Sequence, residues 1–281
     1  MVFDNTDDKL GFSNFVPFSL IFYFIHYLNY FKKNISSFKL IIFNPKKMIV
    51  SHEHRFIFIK TRKTAGTSIE ISLSKECGPK DIITPIAEVD EKIRENLGYR
   101  GPQNYKINET KLINNLFQRL GFKFKEHYNH SPAKLIRKRI GNSDFNSYFK
   151  FCVVRNPWDR VVSLYYWRLN RPNHKLPKST SLADFIQKSN PNELTDSHIY
   201  SIDGKSVVDR FIKYENLSIE LNKCLNEIGI NDIELPNAKS GTRKTKSHYS
   251  LLFDNASVKK IADICSWEIE KFGYEFDDKR E

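Results

Sequence analysis

The chain has 281 residues, with 45 Lys and Arg against 33 Asp and Glu for a formal net charge of +12, and 14% aromatic residues. That length buries a substantial core in one principal domain, and the charge calls for an anionic partner: nucleic acid, an anionic membrane surface, an acidic polysaccharide or a polyphosphorylated nucleotide. Cys77, Cys152, Cys224 and Cys265 are too widely spaced for a CxxC pair or a disulfide framework, which favours a reducing compartment, and no zinc-finger, RNA-binding or basic heptad signature supports nucleic acid.

Residues 1–47 differ from the rest and are set apart as an N-terminal extension before a principal domain at 48–281. Residues 15–31 are rich in Phe, Ile, Leu and Tyr, yet the 17-residue stretch contains Pro17, His26 and Asn29 and is short for a membrane span. Three readings fit: an anchor, an amphipathic segment on the domain or on a membrane surface, or a translation start misassigned from Met48, the one methionine besides Met1. Asp4, Asp7 and Asp8 precede the stretch and Lys32 and Lys33 follow it, so as an anchor it would leave the remainder of the chain in the cytoplasm.

The first strong motif is Phe56 to Ser68, FIFIKTRKTAGTS. Arg55 to Ile59 is apolar and short enough for a buried strand. It runs into Lys63, Thr64, Ala65, Gly66, Thr67 and Ser68, where glycine lets the backbone approach a bound group and hydroxyls stand beside the exposed N–H groups of a starting helix. Lys63 adds a mobile positive charge. The turn also fits an ordinary strand-to-helix connection. It is not a Walker A loop, because Lys63 precedes Gly66 and no GK[ST] follows, so neither ATP or GTP hydrolysis nor a required magnesium ion is expected.

Residues 79–121 are polar and broken by Gly98, Gly101 and Pro102, and read as helices and a loop. Residues 122–140 carry His127, His130 and a basic helix-like run from Lys134 to Arg139.

The second motif is Tyr148 to Tyr165, YFKFCVVRNPWDRVVSLY. Phe149 to Val154 reads as a buried strand, Asn156 as a helix cap, and Pro157 as the first helical residue, where a missing N–H costs nothing. Arg155 at the strand end and Ser163 in the helix can converge on one anion; equally, Arg155 can pair with Asp159 and leave Ser163 on a polar face. Beyond it come a loop with Arg171 and Lys175, a helix before Lys188, a strand at Asp209 to Tyr214, a basic loop from Lys239 to Tyr249, and an amphipathic helix from Ser257 to Phe272.

These residues resemble the sulfotransferases that use 3′-phosphoadenosine 5′-phosphosulfate (PAPS), and most closely the carbohydrate-type and bacterial group. Lys63 to Ser68 is similar to that family's 5′-phosphosulfate loop, and Arg155 with Ser163 to its 3′-phosphate pair. The likeness continues through Asp209 to Leu217 and Phe272 to Phe276. One departure stands out: many relatives carry proline where this chain has Arg62.

The resemblance implies an α/β fold of the P-loop-kinase type, three layers with a central parallel sheet flanked by helices, which the alternation of apolar runs and helical segments fits independently. It implies sulfuryl transfer from PAPS, with PAP as product and no metal, to a hydroxyl of a carbohydrate or glycolipid. Lys63 then stabilises the leaving phosphate and a neutral His130, with His127 as runner-up, takes the acceptor proton; a histidine near a helix start also fits a cap. Arg243 or Lys246 in the basic loop is expected at the 3′-phosphate, although that loop also fits a solvated charge run, and Arg171, Lys175 and the Lys134 to Arg139 run are expected at a basic lip for an anionic glycan. The competing readings are a non-catalytic PAP- or glycan-binding module and a P-loop-like nucleotide kinase. Relatives anchored in the Golgi have the opposite topology to that suggested by residues 1–47.

Overall fold

The computed structural model describes residues 48–105, 130–170, 176–231, 233–236 and 247–280. The stretch 15–31, His127, Arg171, Lys175, Arg243 and Lys246 lie outside them. Among the described residues no helix is long and apolar enough to cross a membrane.

A five-stranded sheet organises the domain, in the order β3 (Ile82–Ile83), β1 (Ile49–Ser51), β2 (Phe56–Phe58), β4 (Phe149–Val154) and β7 (Arg210–Lys213). β2, β4 and β7 are parallel neighbours, with Phe56 opposite Phe149 and Phe151 opposite Arg210. β1 runs antiparallel to both its neighbours, so the sheet is mostly parallel, with one reversed strand that the sequence reading did not contain. A separate hairpin pairs β5 (Ser201–Ile202) with β6 (Lys205–Ser206).

Strand alternation divides the core in two. Phe56, Phe58, Phe151, Val153 and Ile212 face one side, where they pack on Ile69 and Leu73 of α1 (Gly66–Lys75). The same cluster takes in Leu221, Cys224 and Leu225, which belong to a helix at Leu217–Asn226, labelled α9 in chain order below.

Ile57, Ile59, Cys152 and Val154 face the other side. There they meet Ala133 and Ile136 of α3 (Ala133–Ile140), and Trp158, Val161, Val162 and Leu164 of α5 (Pro157–Leu169). Helix α2 (Glu88–Asn96) precedes α3, and α4 (Asn142–Ser147) leads into β4. The remaining helices are α6 (Leu182–Lys188), α7 (Pro191–Leu194), α8 (Ser197–Tyr200), α9 itself, α10 (Asn255–Ile264) and α11 (Ser266–Phe272). The result is helix, sheet, helix, the three-layer arrangement expected, because strands buried on both faces need helices on both.

Local chemistry explains the ends that matter. Asn156 caps α5 by accepting from the N–H groups of Trp158 and Asp159 at 3.1 and 3.4 Å, and Pro157 follows as the first helical residue. The expected helix from Ser257 to Phe272 is two helices, α10 and α11, that meet at Cys265, which closes the first by donating to Ile261 O at 2.9 Å. All four cysteines are free and buried.

Phe151 is fully buried and its ring lies 5.8 and 5.3 Å from those of Phe56 and Phe58. Phe151→Ala is expected to lower unfolding free energy by about 3–5 kcal/mol, the range for emptying a buried aromatic site, as read from the denaturant midpoint.

Candidate functional site

Because β2 and β4 are parallel and adjacent, the two motifs leave the sheet at the same edge. Ile59 N–H donates to Phe151 O at 2.9 Å, and the Thr61 hydroxyl donates to Val153 O, so the first turn is sewn to the second strand up to its last residues. The turn then takes an unusual path: Lys63 and Ala65 are both left-handed, with φ of 61° and 57°. Each such non-glycine residue costs about 1–3 kcal/mol and persists only where surroundings hold it. Ala65 is the residue before α1 and makes no side-chain hydrogen bond to its first turn, whose N–H groups carry the positive end of the helix dipole.

Gly66 has a reason beyond flexibility. A Cβ there would stand 2.7 Å from Lys60 Cγ and 3.0 Å from its Cε. Lys60 is buried under the turn, where its ammonium donates to Thr67 Oγ1 at 3.1 Å and pairs with the fully buried Glu70.

Arg155 joins the two motifs directly. Its Nη1 donates to Lys63 O at 2.8 Å, while Nε and Nη2 donate to Asp159 Oδ2 at 2.9 and 2.5 Å, and its guanidinium lies 4.2 Å from the centre of the Tyr214 ring. The Arg155–Asp159 pair is thus formed. Ser163, partly buried, lies one helical turn past Asp159, and Trp167 one turn further, with Lys63 Nζ 5.7 Å from its ring centre. Residues four apart share a helix face. Asp159, Ser163 and Trp167 therefore share one stripe of α5, whose first member pairs with Arg155 and whose last lies under Lys63.

His130 is not a helix cap. Pro132 occupies that position before α3, and His130 Nδ1 instead lies 2.8 Å from Lys60 O. A carbonyl only accepts, so Nδ1 carries the proton and Nε2 holds the free lone pair. Burial, together with the positive charges of Lys60 and Arg62 and against the opposing pull of Asp196, pushes its pKa down to about 3. By contrast, His52 bonds Tyr148 Oη at 2.7 Å at the opposite end of β4, away from the strand ends that matter.

Behind the turn lies a polar assembly absent from the sequence reading. Arg62 N–H donates to Asp196 Oδ2 at 2.8 Å, its Nε to Oδ1 at 2.5 Å, and its Nη2 to Asn192 O at 2.8 Å and to Thr195 O. Burial would raise the Asp196 carboxyl, but Arg62 and Arg160 overcome it and hold it down at about 2. Glu268 of α11 accepts from the Thr195 hydroxyl at 2.8 Å, from Asp196 N–H at 3.1 Å and from Tyr200 Oη at 3.0 Å. The one available signal was Arg62 itself, a charge where many relatives carry proline. Among the described residues no group of three or more His, Cys, Asp or Glu is arranged to hold a metal ion.

The fold and these turns define an α/β protein that gathers cations and helix N-termini at one edge of a mostly parallel sheet. Residues 46–275 match the model of the sulfotransferase family, and the chain belongs to that family. It is 35% identical to an uncharacterized protein of Archaeoglobus fulgidus over 104 residues, which cover 35% of this chain and 82% of the relative. Among solved structures it resembles mouse sulfotransferase SULT7A1 complexed with PAP, at 16% identity over 78% of this chain and 86% of that one. The TM-score of 0.38 is too low for that likeness to carry detail of fold or ligand.

Two outcomes follow from this geometry. Gly66→Ala should displace Lys60 from Glu70 and cost about 1–3 kcal/mol of stability by thermal or denaturant melting, even though alanine favours helices. His130 has a folded-state pKa below its ordinary 6.5, so the folded chain binds fewer protons and stability is full above that value and falls with pH below it. About 2 kcal/mol should be lost between pH 6.5 and about pH 5, and His130→Gln should remove that part of the slope.

Proposed function

We propose that this chain moves the sulfuryl group of PAPS to a hydroxyl of a carbohydrate or glycolipid acceptor. The observation that carries the reading is the Arg155 bond to Lys63 O, which holds the two strand-to-helix turns side by side at one sheet edge. A donor with phosphate at both its 3′ and 5′ positions needs two such places, and family membership supplies the chemistry that joins them.

In this reading the N–H groups of Thr64, Ala65, Gly66, Thr67 and Ser68, with the hydroxyls of Thr67 and Ser68, hold the 5′ end, while the buried Thr64 hydroxyl is bonded to Thr61. Arg155 and Ser163 hold the 3′-phosphate, since a guanidinium carries more N–H donors than the three bonds drawn above use. Arg243, outside the described residues, is assigned to the same phosphate. His130 Nε2 accepts the acceptor hydroxyl's proton as its oxygen bonds to sulfur. The sulfur–oxygen bond to the 5′-phosphate breaks, and Lys63 stabilises the charge left on that oxygen; positioning and electrostatics dominate such transfers, as in phosphoryl transfer. The formal charge of +12 and the exposed Lys134 and Lys138 on α3 favour an anionic glycan as acceptor.

Transfer of labelled sulfate from PAPS to a glycan panel tests the reading. Lys63→Ala should lower transfer by about 100-fold or more while PAP still binds. Tight PAP binding by the wild type with no transfer to any acceptor would instead favour a binding module, and preference for ATP a kinase. Arg155→Ala should weaken PAP far more than a nucleotide without the 3′-phosphate; equal losses contradict the assignment.

A further inference from the structure

We propose that Arg62 is a positioning residue for the anion-binding turn: it clamps Lys63 to Ser68 onto the segment from Asn192 to Asp196, and through Glu268 onto α11. The inference rests on the donor reading above and adds to it the group that keeps the 5′ side in shape.

The argument begins with strain. Lys63 and Ala65 hold left-handed backbone without glycine, and something adjacent must hold them there. Lys63 is fixed on its carbonyl side by Arg155. On its amino side stands Arg62, whose main-chain N–H and Nε grip both oxygens of one carboxylate, Asp196, while Nη2 takes the carbonyls of Asn192 and Thr195. One residue thus makes four bonds to a segment about 130 positions away.

That segment is itself anchored. Arg160, buried on α5, lies 3.5 Å from Asp196 Oδ1 and donates to Leu194 O. Glu268 takes the Thr195 hydroxyl and the Asp196 N–H from the other side. A guanidinium does this work where an ammonium would not, because its donors are planar and set in a fixed fork. A residue without an N–H would also lose the bond from the main chain.

Arg62 touches neither end of the proposed donor. It acts on the turn that takes the 5′ end and leaves the Arg155–Ser163 side alone, which makes its role separable from general stability. The experiment compares binding of PAP with that of adenosine 3′-phosphate, which lacks the 5′ group, by calorimetry on the full chain. Arg62→Ala is expected to weaken PAP about tenfold, the effect of losing one hydrogen bond to a charged group, with less than about a twofold change for adenosine 3′-phosphate.

Arg62→Lys keeps a cation beside the buried carboxylate and so protects folding, and it should show the same selective loss. Arg62→Ala combined with Asp196→Asn should weaken PAP no further than the worse single change, since both break one clamp. Equal losses on both ligands, or unchanged PAP affinity in Arg62→Ala or Arg62→Lys, would overturn the role of Arg62. Wild-type protein that binds neither ligand would overturn the donor reading, and the inference with it.

Discussion

Parallel pairing of β2 with β4 is the constraint on which the site depends. Two parallel strands that sit side by side end at the same edge, so the helices that follow them begin there together and direct the positive ends of their dipoles at one place. The pairing is set by side chains: Phe56 and Phe58 fall on the same face as Phe151 and Val153, and Ile57 and Ile59 on the same face as Cys152 and Val154. A slip of one residue would carry the phenylalanines into the layer of α5 and leave neither core filled. Register, core and site are therefore one choice.

Behind that edge the structure buries charge, and the magnitudes say that stability is not the reason. Desolvating two ions costs several kcal/mol each, and a buried pair commonly does no better than an apolar pair of the same volume, whereas removing one partner costs about 3–5 kcal/mol. Lys60 with Glu70, and Arg62 and Arg160 with Asp196, add little net stability. What they add is position. Each ties the strained turn to an element that already has a place in the core: α1 through Glu70, α5 through Arg160, α11 through Glu268.

The parts that were legible in the sequence are those that depend on neighbours along the chain. Phe149 to Val154 matches β4 to the residue, and the Asn156 cap with Pro157 is present as read, because apolar runs and caps are local signals. The reversed β1 was not legible: three residues, Ile49–Ser51, carry no mark of direction. The break at Cys265 escaped because its apolar spacing continues through both helices. Asp196 and Glu268 escaped for a stronger reason. Their partners lie 134 and 72 residues away, and nothing in a charged residue's own neighbourhood reveals that it will be buried against a distant one. The alternatives at Arg155 were both local, and the structure shows the Asp159 pair formed with a bond to Lys63 as well.

The same cations bear on His130, the base of the proposed reaction. Lys60 and Arg62 help press the His130 pKa down to about 3, which keeps the ring neutral but makes it a poor proton acceptor taken alone. Opposite charge acts in the other direction: an anion brought to the turn offsets those cations and favours the protonated imidazole. In the proposed reading, donor charge seated on the turn makes His130 a stronger base than the cations alone allow, so that proton transfer and donor binding are coupled through charge, with Lys60 as the shared element. Its ammonium lies beneath the turn, bonded to Thr67, while its main-chain carbonyl fixes the histidine tautomer.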